Sequence, residues 1–331
     1  MLSRVANAIY WLSRYIERAE NYGRYINVNN NLALDAPNLF DEQWKPILTA
    51  IGDDEEFYKF HKVASHEDVI DFMAFDTRNP NSIFSSISNA RENARTIREV
   101  LPIELWEQLN KFYLELKKLA NADNREIIDP IVFFDEIRKN CQLFWGMLDS
   151  AYTRNEGFHF ACLGKFVERA DKTSRFLDVK YFNAVSEAPK SNSPQSLLIW
   201  SAVLKSVSAF NMYRQQYRNL KPEFIANFLI KDRRFPRSLY YSVQQAEHCL
   251  YEISGRRISD GFSNEAEKTI SRLRNELDFT DVSDIYPKEL HSFLDDFQSK
   301  NNKLAGAIHS TYFDLKPIPE KTVYQQQPLQ Q

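Results

Sequence analysis

The sequence predicts an all-α protein made of two tandem, similar helical halves packed about a pseudo-twofold axis. Three observations carry that prediction. One text occurs twice, as LSRYIERAENYGRYINV at 12–28 and LGKFVERADKTSRFLDV at 163–179, with six of seventeen positions identical. Its apolar positions step by four and three: Val5, Ile9, Leu12, Ile16, Ala19, Gly23 and Ile26 draw one stripe along a helix, and Phe160, Leu163, Val167, Ala170, Ser174 and Leu177 redraw it. Only eight glycines serve 331 residues, and the thirteen prolines sit mostly at segment edges, the punctuation of helices joined by short connections.

The elements follow in order. The first helix carries the stripe, and its small mid-stripe residues, Ala19 and Gly23 answered by Ala170 and Ser174, let a neighbouring helix approach closely. Asp35 to Pro37 breaks the pattern, and a helix opens at 44–51. From there the duplication continues at an offset of 156 residues instead of 151, with Trp44 matching Trp200, Asp76 matching Asp232, Pro80 matching Pro236 and Ser82 matching Ser238. The five extra residues fall before Trp200, where EAPKSNSPQ (187–195) reads as a surface loop. A second shared text, 72–84 and 228–240, ends one helix and begins the next. Pro80 and Pro236 suit a first helical turn, and Ser82 and Ser238 suit its exposed amides. Helical patterns then run over 83–100, 102–120 and 130–152, answered by 239–254, 264–277 and 287–312. The expected division is a first repeat over 1–153, a second over 154–315, and a Pro/Gln-rich tail over 316–331 with too little apolar surface to fold.

Composition excludes several classes. A net charge of -3 and a pI near 6.1 exert no bulk pull toward nucleic acid. No apolar run approaches the roughly 20 residues of a membrane span. Cys141, Cys162 and Cys249, odd in number and widely spaced, read as reduced core thiols of a cytoplasmic protein. Neither GxxxxGK[ST] nor GxGxxG occurs, so no ATP site and no cofactor are expected, and GxSxG and HExxH are absent too. The single ExxH turn, Glu156 to His159, has no counterpart to complete a two-metal bundle site, so no metal is expected.

The chemistry-bearing feature is the repeated Glu-Arg. Glu17, Arg18 and Arg24 lie off the apolar stripe among Arg14, Tyr10, Trp11 and Tyr25, and Glu168, Arg169 and Arg175 repeat them. Glu20 to Arg24 and Asp171 to Arg175 are i,i+4 pairs that stabilise a helix without further function. If the halves pack symmetrically, the charges meet in a buried network, which serves as structure or as a site. Asp76 and Arg78, with Asp232 and Arg234, are candidates to tie the second shared text to that face. Lys231, Arg233, Arg234 and Arg237 form a local basic cluster able to grip a carboxylate or phosphate.

The opening MLSRVANAIYWLSRYIERAEN, the second ERAD, NPNSIFSSISNARENARTIRE (79–99) and FPRSLYYSV (235–243) together resemble the bacterial Alpha-E domain family over about 1–315. Glu17, Arg18, Glu168 and Arg169 occupy the family's signature positions, and Asn79, Pro80, Ser82, Arg91 and Arg95 match its first-half motif. The resemblance implies no known activity. It implies a setting, since members are typically encoded beside a circularly permuted ATP-grasp protein and a transglutaminase-like cysteine peptidase. The resulting expectation is an accessory or substrate-binding partner of an ATP-grasp amide ligase. The alternatives are an enzyme using Glu17 or Glu168 as general base with the arginines as carboxylate clamp, or an interaction scaffold whose networks are structural.

Overall fold

The computed structural model describes residues 1–35, 44–121, 129–178 and 194–314. Among these it is all-helical, with fifteen α-helices and no strand. The expected loop at 187–195 lies largely, and the tail at 316–331 wholly, outside the described residues.

In chain order the helices are α1 (Ser3–Asp35), α2 (Trp44–Ile51), α3 (Asp54–Phe57), α4 (His66–Ala74), α5 (Ile83–Thr96), α6 (Ile103–Ala120), α7 (Pro130–Ala151), α8 (Glu156–Leu177), α9 (Pro194–Ser206), α10 (Phe210–Gln216), α11 (Pro222–Lys231), α12 (Leu239–Ser254), α13 (Glu265–Phe279), α14 (Val282–Ile285) and α15 (Leu290–Ile308), the last continued by a π-turn, His309–Phe313. Local chemistry sets the boundaries. Ser82 accepts the amide of Ser85 at 3.1 Å and Ser238 that of Tyr241 at 3.0 Å, so the repeated serines are N-caps as read, whereas Pro80 and Pro236 stand two residues before those caps, in the turn and not in the first helical turn. Asp129 caps α7 ahead of Pro130, and Asn155 caps α8 by accepting from Gly157 and Phe158.

The two ERA-bearing helices, α1 and α8, lie side by side at the centre. α1 also packs on α5 and α7, and α8 on α12 and α15; α5 carries α6, and α12 carries α13. One apolar core runs from Ile9, Leu12 and Ile16 of α1 to Leu163, Val167 and Leu177 of α8 and outward to Leu250, Ile270 and Leu294. Two glycines fix the closest contacts. A Cβ on Gly23 would lie 3.2 Å from Ile137 of α7, so the small residue expected mid-stripe admits α7. A Cβ on Gly164 would lie 2.3 Å from the carbonyl oxygen of Tyr10, so bare backbone lets α8 touch α1.

Candidate functional site

Glu17 and Glu168 face each other's arginines. Arg169 grips Glu17 with both arms of its fork, Nε at 2.8 Å and Nη2 at 3.0 Å. Arg18 grips Glu168 in the same way, at 2.7 and 3.1 Å. Each copy of the motif therefore completes the other's ion pair across the α1/α8 contact. Such bidentate pairs are geometrically exacting and among the stronger charge-assisted hydrogen bonds. Both glutamates are 0% exposed.

The surroundings of the two pairs differ. At Glu168, Arg14 donates a further bond of 2.8 Å through Nε, and Lys172 stands at 3.7 Å. Lys172 also pairs with Asp171 at 3.0 Å, and Arg175 closes on the same Asp171 at 3.0 Å. Arg18 extends outward to Asn81 (2.9 Å), which passes to Asp53 (2.9 Å), itself bonded by Tyr22 at 2.9 Å. At Glu17, Arg237 takes the outer position, donating to Glu17 (3.0 Å), Asn21 (3.0 Å) and Glu20 (2.7 Å). Arg24 pairs with Glu20 and donates to the carbonyl of Ser206 at 3.2 Å.

Burial alone would raise the carboxylate pKa values, but the guanidinium partners outweigh it. Glu17 is held well below the carboxylate range by Arg169 and then Arg237, and Glu168 by Arg18 and then Arg14. Asp171 is held at about 2, Lys172 and then Arg175 overcoming its burial. Groups so placed stay ionised at every physiological pH.

Of the residues singled out in the sequence, Arg14, Glu17, Arg18, Arg24, Glu168, Arg169 and Arg175 all join this paired network. Asp76, Arg78, Asp232 and Arg234 do not bond to it. Asp76 and Arg78 pair with each other at 2.6 Å, and Asp232 accepts the amides of Arg234 and Phe235 at 2.8 and 2.7 Å, closing its own turn. The tie is made one step further on, by Asn81 and Arg237, which occupy matching positions. The basic cluster disperses: Lys231 caps the carbonyls of Leu277, Asp278 and Thr280, Arg233 pairs with Asp278, and Arg237 alone enters the network. Asp53 went unseen in the sequence, because it has no repeated counterpart; Ala209 stands at the matching position.

With this geometry in place, the chain can be set beside known proteins. The model of the Alpha-E family, described as "a predicted alpha-helical domain with a conserved ER motif", matches residues 1–313. The chain belongs to the Alpha-E family. This Alpha-E chain is similar to uncharacterized proteins of Mycobacterium bovis and of two strains of Mycobacterium tuberculosis, each 18% identical over 95% of the chain. It spans 36% of the length of each of these relatives. No solved structure matches it.

The Alpha-E chain carries other features away from the motif. Two grooves of about 370 and 500 Å³ run along α13 and α15, sharing Leu273, Glu276 and Lys300. Lys300 bridges Glu276 (2.6 Å) and Asp296 (2.7 Å) within the first groove. Glu156 and His159 do not converge, His159 facing Glu252 at 3.9 Å. Asp178, His291 and Asp295 bring potential ligand atoms within 4.8 Å of one another, with His291 Nδ1 2.5 Å from Asp178 and Nε2 3.3 Å from Asp295. No helix among the described residues is long and apolar enough to cross a membrane.

Proposed function

We propose that this Alpha-E chain is a non-catalytic helical module acting beside an ATP-grasp-type amide ligase, as its accessory or substrate-binding partner. The observation that carries the first half of this reading is the state of Glu17 and Glu168. Each is wholly buried, gripped by a forked guanidinium and held ionised far below neutrality. A general base needs a pKa near the working pH and reach to a substrate proton. Carboxylates locked in this way have neither, and they fit a clasp between α1 and α8.

The binding role is supported by the rim of the network. Arg14, Arg18 and Arg237 keep 11–12% of their side chains exposed, and Trp11 and Tyr15 stand half-buried beside the first two, the Arg14 guanidinium 4.8 Å from the Trp11 ring and that of Arg18 5.5 Å from the Tyr15 ring. Arginine and aromatic residues are the usual anchors of interfaces. The relatives, in which the matched region is 36% of a longer protein, support a module used together with other sequence. The halves, 1–153 and 154–315, are read as repeats about a pseudo-twofold axis, supported by the reciprocal pairs and by the like neighbours of α1 and α8.

Co-purification with the ATP-grasp-type protein, followed by ADP release in the presence and absence of the Alpha-E chain, tests the reading. Association with a changed ligase rate is expected. Failure to associate, or turnover of a peptide or amide substrate by the Alpha-E chain alone, refutes it.

A further inference from the structure

The two halves of the network are not neutralised alike. The position of Arg14 in the first copy belongs to Lys165 in the second, and the position of Asn81 belongs to Arg237. Around Glu168 the arginine reaches the carboxylate, while the neutral Asn81 passes the outer bond on to Asp53. Around Glu17 the outer residue is itself a cation. Arg237 donates to Glu17 Oε1, the oxygen that Arg169 Nε also holds, and Lys165 forms no ion pair among the described residues.

The result is a centre rich in donors and short of acceptors. Four cations, Arg24, Lys165, Arg169 and Arg237, share two carboxylates, Glu17 and Glu20. Arg24 is 5% exposed, and its Nε is buried without an acceptor. Lys165 rests instead on aromatic faces, its Nζ 4.5 Å from the Trp145 ring and 5.6 Å from that of Phe166, which Arg169 also flanks at 5.6 Å. Trp145 Nε1 is a second buried donor without an acceptor. Burial, then the repulsion of Arg169, pushes the Lys165 amine down to about 8. Uncompensated buried charge costs several kcal/mol unless something supplies the missing counter-charge. Lys165, Phe166 and Trp145 are half-buried and Arg237 is 12% exposed, so the centre has an edge that solvent reaches.

We propose that this edge is an oxyanion-binding site, in which Lys165 with Arg237 and Arg169 takes a ligand carboxylate or phosphate group. Arg169 and Arg237, whose forks already hold Glu17 and Glu20, add positive charge at the edge, and the Lys165 ammonium donates to the oxygens of either group. The site supplies a ligand class for the binding role above and rests on that reading only in placing the ligand at this face.

The test is calorimetric titration of the full chain with inorganic phosphate and, separately, with glutarate, each against sodium chloride at matched ionic strength. One saturable site is expected for at least one of the two probes, and which one binds identifies the group. Lys165→Gln is expected to weaken binding at least tenfold and Lys165→Arg to restore most of it, with both variants checked for an unchanged far-ultraviolet circular dichroism melt. As a second readout, the NMR signal of 13C-methylated Lys165 is expected to titrate at higher pH once the anion is bound. Heats no larger than the chloride control for both probes, or equal affinity in Lys165→Gln, overturn the proposal. Ligase association that persists in the face of that result leaves the partner reading standing.

Discussion

At the scale of single residues, Glu17 and Glu168 are worth more through what they neutralise than through any reaction they could run. Replacing Glu17 with glutamine leaves the buried Arg169 without its counter-charge and Arg237 with Glu20 alone. Breaking one side of a buried pair costs roughly 3–5 kcal/mol, so the urea midpoint of Glu17→Gln is expected to fall steeply while its m-value holds. The sign of the pH dependence follows from Asp171, whose folded pKa lies at about 2 against an ordinary 3.8. A depressed carboxylate stabilises the fold above its unfolded pKa and loses that contribution as the pH falls through the folded value. Stability is therefore expected to decline between about pH 4 and pH 2, and Asp171→Asn to flatten that acid limb in urea titrations at stepped pH. The identities of the paired residues were legible in the repeat, since Glu17, Arg18, Glu168 and Arg169 recur in register. Who pairs with whom was not. Asp232 and Arg234 drew attention because they repeat Asp76 and Arg78, yet the contact with α1 comes from Arg237, where the copies differ.

At the scale of helices, the reciprocal pairs require α1 and α8 to touch backbone to backbone, and Gly164 permits it. Gly164→Ala would place a methyl group 2.3 Å from the Tyr10 carbonyl, and since both sides are main chain the helices must separate. Such overpacking typically costs 1–3 kcal/mol, and here it also strains the Arg14 and Arg18 bonds to Glu168. Gly146→Ala in α7 meets nothing within 4 Å and is expected to stabilise by about 0.5–1 kcal/mol. Thermal melts of the two alanine variants should shift in opposite directions. Helix boundaries were largely readable: α2 and α12 match the expected 44–51 and 239–254, and α5, α6, α7 and α13 differ by a few residues. Short helices such as α3 and α14 were not, because four residues hold too little periodicity to signal. Gly164 also escaped notice, since opposite Ser13 it looks like an ordinary exchange of small residues, and only the crossing of the helices gives it meaning.

At the scale of the whole molecule, the core is continuous and the forked pairs on Glu17 and Glu168 each join one copy of the motif to the other. Calorimetric unfolding is expected to show one transition with van't Hoff and calorimetric enthalpies in agreement. Two resolved transitions would mean that the halves unfold independently and that the clasp contributes little. All-helical architecture could be read from glycine scarcity and stripe periodicity. The packing of α1 against α8 could not, because a repeated stripe says which face is apolar and leaves open which neighbour covers it.

The exchange of arginines between the copies has a further consequence. A chain bearing a single copy would have to find the second glutamate on another molecule, and its folding would depend on how often two such chains met. Joining the copies in one polypeptide makes that encounter intramolecular, so this protein's stability should not vary with its dilution.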